Sequence, residues 1–167
     1  MQGLTQGAQP IISYNFGAGN FNRVKRTFRL LLTSCLTFSV TICAFILIFP
    51  QPVVQIFNSD PELIDVTCSC MRIYAAGIWA MGAQTACQQS FVAIGQAKIS
   101  IFLALLRKIV LLIPLALLLP LFMGTLGVFT AEPIADIGAA TVTSIMFAVF
   151  FKRYLAQKKE ELKQASL

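Results

Sequence analysis

The stretch Leu30–Phe49, LLLTSCLTFSVTICAFILIF, decides the fold, because it contains no charged residue. A helix needs about 20 mostly apolar residues to cross the hydrocarbon core of a bilayer. Further uncharged runs lie at Ile73–Ala97, Ile109–Ala131 and Ile137–Phe151. The last run is the shortest, and it reaches spanning length if its helix begins near Thr130. The sequence therefore predicts four spanning helices, at about 28–49, 73–96, 99–121 and 130–151.

The composition of the whole chain agrees with a lipid environment. Of the 167 residues, 57% are hydrophobic and 12% are charged, whereas soluble domains have about 45–50% and about 25%. A short soluble chain leaves much of its surface in water and could not accommodate such a composition. These figures exclude an ordinary soluble enzyme, a disordered tail and a secreted disulfide scaffold. The expected fold class is all-α, a polytopic membrane helix bundle.

The residue types that carry most enzyme and metal chemistry are scarce. The chain has no His and five Cys. The lack of His removes the Ser-His-Asp and Cys-His arrangements and most zinc sites. Cys68 and Cys70 are separated by one residue, so the C-x-x-C spacing of metal and redox motifs is missing. We expect no catalytic site, no metal site and no bound cofactor.

The net charge of +6 has two explanations, a nucleic-acid partner or membrane topology. Lys and Arg collect on the cytoplasmic side of membrane proteins. If the segment before the first span is cytoplasmic, 12 of the 13 basic residues fall inside and only Arg72 falls outside. This sorting favours topology over nucleic acid. It predicts a basic cytoplasmic tail over 152–167 and a cytoplasmic C-terminus.

Ionisable groups inside spans are costly and are often functional. Glu132 and Asp136 are four positions apart, so they share one face of the fourth helix. Two such carboxylates could hold a proton or a cation, or they could cap a helix that begins at Glu132-Pro133. Arg107, with Lys108, lies about two turns inside the third span, from which a long side chain can extend to the cytoplasmic boundary.

The second span carries polar amides, with Gln84 and Gln88 one turn apart on the same face. Buried amides in lipid need partners, so they contact other helices or line a wet cavity. Tyr74 and Trp79 fit an aromatic belt at the outer interface or the wall of a pocket. Before this span, Asn58-Ser59-Asp60 with Pro61 predicts the cap and first turn of a short helix.

Several short motifs occur in the same order as in one family. They are GAQP at 7–10, SYNFGAGN at 13–20, IFNSDPEL at 56–63, AIGQAK at 93–98 and GVFTAEPIAD at 127–136. Together they resemble the final third of MATE (multidrug and toxic compound extrusion) efflux transporters. The ordered set is much more specific than any one motif, and the matching positions of the opening motif are Gln9, Pro10, Asn15, Gly17 and Ala18.

The resemblance implies the C-terminal part of a twelve-helix, two-lobed fold, here with four transmembrane helices and a partial N-terminal helix. The whole chain, 1–167, is then one incomplete lobe. It also implies an antiporter in the plasma membrane. Such a transporter exports drug-like, often cationic compounds while protons or sodium ions enter. The partners would be a small-molecule substrate, the lipid bilayer and the missing N-terminal helices.

Two other functions remain open at this point. A small membrane protein that assembles with a missing N-terminal portion would also fit the four spans. A flippase for lipid-linked oligosaccharides is the other, although we expect more cationic residues along its cavity than Arg107 and Lys108. The chain is less than one lobe, and alternating access needs two. We therefore expect that it does not transport alone.

Overall fold

The computed structural model describes residues 1–57 and 59–164, with all of their side chains except those of residues 155 and 158–164. This part of the chain is helical and contains no strand. The last three residues of the predicted basic tail, 165–167, lie outside it. The helices are α1 Gln2–Gly17, α2 Phe21–Ile48, α3 Pro50–Gln55, α4 Pro61–Ala75, α5 Ile78–Ala93, α6 Ala97–Leu105, α7 Ile113–Met123 and α8 Thr125–Gln164, and a π-helical segment, Leu106–Leu112, joins α6 to α7.

The all-α bundle with four helices able to cross a membrane is confirmed. In the described residues these spans are Phe21–Ile48, Pro61–Ala93, Ala97–Met123 and Thr125–Tyr154. Each begins earlier than predicted: at 21 rather than 28, 61 rather than 73, 97 rather than 99, and 125 rather than 130. The residues gained by the first three spans include charged ones, because long charged side chains near a span's end stay helical and reach water. The fourth span gains the uncharged residues 125–129, which follow the turn at Gly124 directly. The length of an uncharged run therefore underestimates the length of the helix that contains it.

The second span departs most from its prediction. It begins at Pro61, directly after Asp60, whose side chain accepts a hydrogen bond of 3.1 Å from the amide of Glu62. The predicted short helix is thus α4, the first half of the span. Asn58, also placed in this cap by the sequence, lies outside the described residues. The two halves, α4 and α5, meet at a turn over Ala76 and Gly77.

The third and fourth spans form a tight hairpin. Its turn is a single residue, Gly124, with φ of 59°, a backbone angle that L side chains avoid. A Cβ on Gly127 would lie 2.5 Å from the carbonyl oxygen of Leu119. The first turn of α8 therefore lies directly against α7, and only glycine permits that separation.

Helix α5 occupies the centre of the bundle and packs antiparallel to α2. The Ser39 hydroxyl of α2 donates a 3.1 Å hydrogen bond to the Trp79 carbonyl of α5. One turn further along, a Cβ on Gly82 would lie 2.7 Å from the Cys35 carbonyl oxygen. Small residues thus allow two spanning helices to approach closely, as is common in membranes.

Helix α5 runs parallel to α8, because contacts along the two helices advance together. Gly77 lies against Pro133, and further along both helices the rings of Phe91 and Phe147 are 5.0 Å apart. An aromatic layer closes this end, where Phe28 of α2 stacks on Phe147 at 4.4 Å. The ends of α5 and α8 and the beginning of α2 therefore lie on the same side of the bundle.

Candidate functional site

Arg107, Glu132 and Asp136 form one ion cluster between the third and fourth spans. Nε of Arg107 donates a 2.6 Å hydrogen bond to Oδ1 of Asp136. The Nη2 atom of the same guanidinium lies 2.5 Å from that oxygen and 3.2 Å from Oε1 of Glu132. The Asp136 side chain is 4% exposed, against 21% for Glu132. One guanidinium therefore holds two carboxylates, and Asp136 is the more buried of them.

This cluster lies near the middle of both spans. Arg107 belongs to the span Ala97–Met123, and Asp136 belongs to the span Thr125–Tyr154. At a helical rise of ~1.5 Å per residue, each of the two lies about 15–17 Å from the start of its span. That depth is half of a hydrocarbon core of about 30 Å. Because the two spans are antiparallel, the two residues meet at the same depth.

Two expectations about these residues need correction. The sequence left open that Glu132 caps a helix beginning at Glu132-Pro133, but α8 begins at Thr125. Glu132 is therefore about two turns inside the helix and pairs with Arg107 instead. Arg107 was expected to extend toward the cytoplasmic boundary. It turns to the carboxylates because ion pairing within the bundle replaces the solvation that water would provide.

Three interruptions of regular helix converge on the cluster. The π-helical segment begins at Leu106, directly before Arg107, and π-turns inside helices often occur at functional sites. Pro133, between Glu132 and Asp136, removes one backbone donor from α8. The break at Gly77 faces the same place, since a Cβ there would lie 2.6 Å from Cα of Pro133 and 3.3 Å from Cβ of Asp136.

The formal charges of the cluster do not cancel. With all three groups ionised, two carboxylates and one guanidinium leave one negative charge in the interior of a membrane bundle. An uncompensated charge there is costly. The cluster is consequently a place where a proton or a small cation would be stabilised. In the described part of the chain, no three residues among His, Cys, Asp and Glu are grouped as a metal site.

Gln84 and Gln88 lie on α5, toward the aromatic end, and are not part of this cluster. Gln84 is 4% exposed. Within the described residues, no hydrogen bond or ion pair joins either amide to Arg107, Glu132 or Asp136. Buried polar atoms without a partner there include Nε2 of Gln88 and Oγ1 of Thr143 on the facing helix α8. Each of these two helices therefore buries a polar atom that has no hydrogen-bond partner among the described residues.

The opening motif residues lie on α1 and the turn after it. Asn15 is 7% exposed; its Nδ2 donates to the Ile11 carbonyl at 2.8 Å, whereas its Oδ1 has no partner among the described residues. Gln9 and Pro10 lie mid-helix, Gly17 ends α1 and Ala18 follows it. These residues lie on a different helix from the ion cluster and form no hydrogen bond or ion pair with it among the described residues.

Sequence reasoning missed Gly77 and Tyr74 as neighbours of the cluster. Tyr74 is close enough to interact electrostatically with Arg107, Glu132 and Asp136. The belt proposed for Tyr74 and Trp79 assumed a span beginning at residue 73, but the span begins at Pro61 and its central residue is Gly77. Both aromatics thus lie near mid-span. The signal in the sequence was a glycine, Gly77, between two aromatic residues, Tyr74 and Trp79. Its depth in the membrane could be judged only once the full length of the span was known.

Comparison with known proteins gives a consistent picture. A sequence model of the family described as MatE matches residues 1–118. The multidrug export protein MepA of Staphylococcus haemolyticus is 24% identical over 100% of this chain and 35% of its own length. A FAD transporter of Shewanella oneidensis is 25% identical over 80% of this chain and 30% of its own length. The chain thus spans about a third of the length of these relatives.

Solved structures resemble the chain as well. The MATE multidrug transporter DinF-BH, solved as a complex, superposes with a TM-score of 0.83 at 34% identity. The match covers 91% of this chain and 33% of that one. The Vibrio cholerae MATE transporter VcmN in its bent form gives a TM-score of 0.79 at 19% identity, over 92% of this chain and 34% of that one, which supports the fold alone.

Proposed function

Because this chain belongs to the MatE family of MATE transporters, we propose that it is part of a multidrug efflux antiporter in the plasma membrane. In this proposal drug-like, often cationic compounds leave the cell while protons or sodium ions enter. The observation that supports it most is the mid-span ion cluster in a chain matched over residues 1–118 by the family. No covalent reaction is part of the proposal, in line with the transporter names of the relatives.

We assign the coupling ion to the carboxylates of Glu132 and Asp136. The cluster has one excess negative charge when fully ionised, so uptake of one proton or one sodium ion neutralises it. Arg107 keeps the carboxylates together and limits their affinity for the ion, because its guanidinium already provides one positive charge. Release of the ion then restores the negative charge. A site that alternates between these two charge states can shift the equilibrium between two conformations of a helix interruption, such as the break at Gly77.

We further propose that this chain does not transport by itself. Alternating access in secondary transporters moves two halves around a site near the midplane. The chain spans about a third of its curated relatives, less than one of the two lobes. In proteoliposomes with an imposed proton or sodium gradient, the chain alone should give no substrate-driven ion movement. Ion release on addition of substrate would contradict this part of the proposal.

The decisive experiment is a chimera in which this chain replaces the matching third of the multidrug export protein of S. haemolyticus. Cells that lack their own efflux pumps and express the chimera should export ethidium, a cationic dye. FAD serves as a second test compound, since one relative is named as a FAD transporter. Imposing pH and sodium gradients separately on membrane vesicles identifies the coupling ion.

Matched variants locate the coupling in this chimera. Asp136→Asn should abolish export, because it removes the buried carboxylate. Asp65→Asn neutralises an exposed carboxyl group of the second span and should leave export unchanged. Equal export by both variants would contradict the assignment of the ion site. A chimera that inserts normally but exports neither compound would contradict the efflux function itself.

The two other functions are not favoured by the comparisons. The relatives and structural neighbours named above are multidrug or FAD transporters, and neither a flippase nor an assembly protein is among them. Along the ion cluster Arg107 is held by carboxylates, so it is not free to contact a phosphorylated lipid-linked sugar. We therefore retain efflux as the single proposal.

A further inference from the structure

A cavity of about 560 Å³ lies where the turn before α2 meets the end of the fourth span. Its walls come from two distant parts of the sequence, residues within 19–25 on one side and residues within 148–156 on the other. The cavity is therefore a product of the tertiary structure and not of one basic segment.

The polar part of the cavity fits an anion. Arg23, Lys25 and Lys152 contribute three cations to its lining. The first turn of the long helix α2 also lines it. Among the described residues, no side chain caps that turn. The amides of Phe21 and Arg23 already donate to the carbonyls of Gly19 and Asn20, so the three side-chain cations supply the attraction for an anion.

The apolar part of the cavity fits hydrocarbon. Phe21 and Phe151 line it beside the cations. Behind them, Phe16 stacks on Tyr154 with ring centroids 5.6 Å apart and contacts Phe21 edge to face at 6.1 Å. Phe21 begins the first span and Tyr154 ends the fourth, so the cavity lies at the membrane boundary. A ligand there meets cations on the aqueous side and aromatic rings on the lipid side.

We propose that this cavity is a binding site for an anionic phospholipid, with the headgroup phosphate between Arg23, Lys25 and Lys152 and an acyl chain against Phe151. The bound lipid joins the first and fourth spans at their basic ends. The site is separate from the ion cluster, because Lys152 and Asp136 are both on α8 and lie about 24 Å apart along that helix. The proposed lipid site therefore does not rest on the proposed transport mechanism.

The test measures binding of single lipids to the chain in neutral detergent micelles. Native mass spectrometry at increasing phosphatidylglycerol concentration gives the affinity, with zwitterionic phosphatidylcholine as the comparison lipid. A thermal unfolding curve, followed by circular dichroism, reports whether each variant is folded and whether the lipid raises its midpoint. Inorganic phosphate and glycerol 3-phosphate are titrated in parallel, because they carry the same phosphate without an acyl chain.

Two variants with the same net charge distinguish binding in the cavity from a general electrostatic attraction of the lipid to the basic end of the bundle. The test variant replaces the three lining cations, Arg23→Gln, Lys25→Gln and Lys152→Gln. The control variant replaces three exposed cations that are close in sequence but do not line the cavity, Arg26→Gln, Arg29→Gln and Arg153→Gln. Unfolding curves are run at a salt concentration of ~0.15 M, where the Debye length is about 8 Å and distant charges are screened.

We expect wild-type chain to bind one phosphatidylglycerol in preference to phosphatidylcholine. The test variant should lose affinity by roughly a hundredfold, or about fivefold for each cation near the phosphate, and the control variant by less than about tenfold. Equal losses in the two variants would overturn the site. Displacement of the lipid by inorganic phosphate or glycerol 3-phosphate at similar concentration would overturn the lipid as its occupant.

Discussion

A single guanidinium determines the chemistry of the middle of this bundle. Arg107 contacts both Glu132 and Asp136, and without it two carboxylates would share a site in which little water is available. Breaking a buried ion pair from one side costs about 3–5 kcal/mol, because the remaining charge is uncompensated. The triad is therefore a local constraint on stability as well as a candidate for ion coupling.

At the residue scale, we predict that Arg107→Gln lowers the free energy of unfolding by about 3–5 kcal/mol. Arg107→Lys keeps the charge but loses the two-pronged contact, so it should have an intermediate effect. The measurement is thermal unfolding in detergent, followed by helical circular dichroism. Lys98→Gln, at an exposed position at the beginning of the same span, is the control and should change stability by less than about 1 kcal/mol. Equal destabilisation at both positions would argue against the ion cluster.

The interruptions in the helices explain how the triad is assembled. The break at Gly77, the π-helical segment and Pro133 all lie within one region of the bundle. In helices without these interruptions, the side chains of Arg107, Glu132 and Asp136 would lie further apart. Two glycines of the central helix α5 allow its neighbours to approach closely. Gly77 faces α8, and Gly82 faces α2.

At the element scale, we predict that Gly82→Ala is destabilising by about 1–3 kcal/mol, the usual cost of overpacking. Its Cβ would meet the backbone of Cys35, which is not free to move. Gly138→Ala is the matched control, because its Cβ would have one ordinary contact, with Cδ1 of Leu111 at 3.5 Å. That substitution should be neutral or slightly stabilising, since Ala favours helix by up to about 1 kcal/mol.

The unfolding midpoints of the two alanine variants provide the comparison. A lower midpoint for Gly82→Ala and an unchanged one for Gly138→Ala support the packing of α5 on α2. If Gly138→Ala has the lower midpoint, the assignment of the close helix contact is wrong.

On the scale of the whole molecule, the basic residues collect at one end. The beginning of α2, the turn between α5 and α6 and the end of α8 share this end, as the contacts among Phe28, Phe91 and Phe147 show. The positive-inside rule then favours a cytoplasmic location for it. Large apolar side chains are exposed on the outside of the bundle, notably along α7, which has no buried residue.

We predict that this orientation can be read from single cysteines placed in a chain whose own five are replaced by alanine. Cysteine at Asn22, Gln96 or Ala156 should react with a membrane-impermeant maleimide only in inverted membrane vesicles. Cysteine at Ser59 or Thr125 should react in intact cells. Labelling of both groups from the same side would contradict the bundle topology, and the reverse pattern would contradict a cytoplasmic C-terminus.

Much of this architecture was predictable because it depends on local composition. The charge-free run Leu30–Phe49 and its three successors predict four spans without reference to any contact, since lipid requires long apolar helices. The ends of the spans were less predictable. Glu62 and Arg72 interrupt the apolar pattern yet remain in the second span, because only their position relative to neighbouring helices decides whether a charge reaches water.

The sequence by itself predicted the spanning helices and the shared face of Glu132 and Asp136, and its charge pattern favours one orientation of the spans. These properties follow from residues close together along the chain and from the solvent that surrounds them. Only the tertiary structure decided that Arg107 joins the two carboxylates, that Gly77 lies against Pro133, and that Lys152 shares a cavity with Arg23. The members of each pair are far apart in the sequence. Their approach depends on the packing of whole helices, which no local pattern specifies.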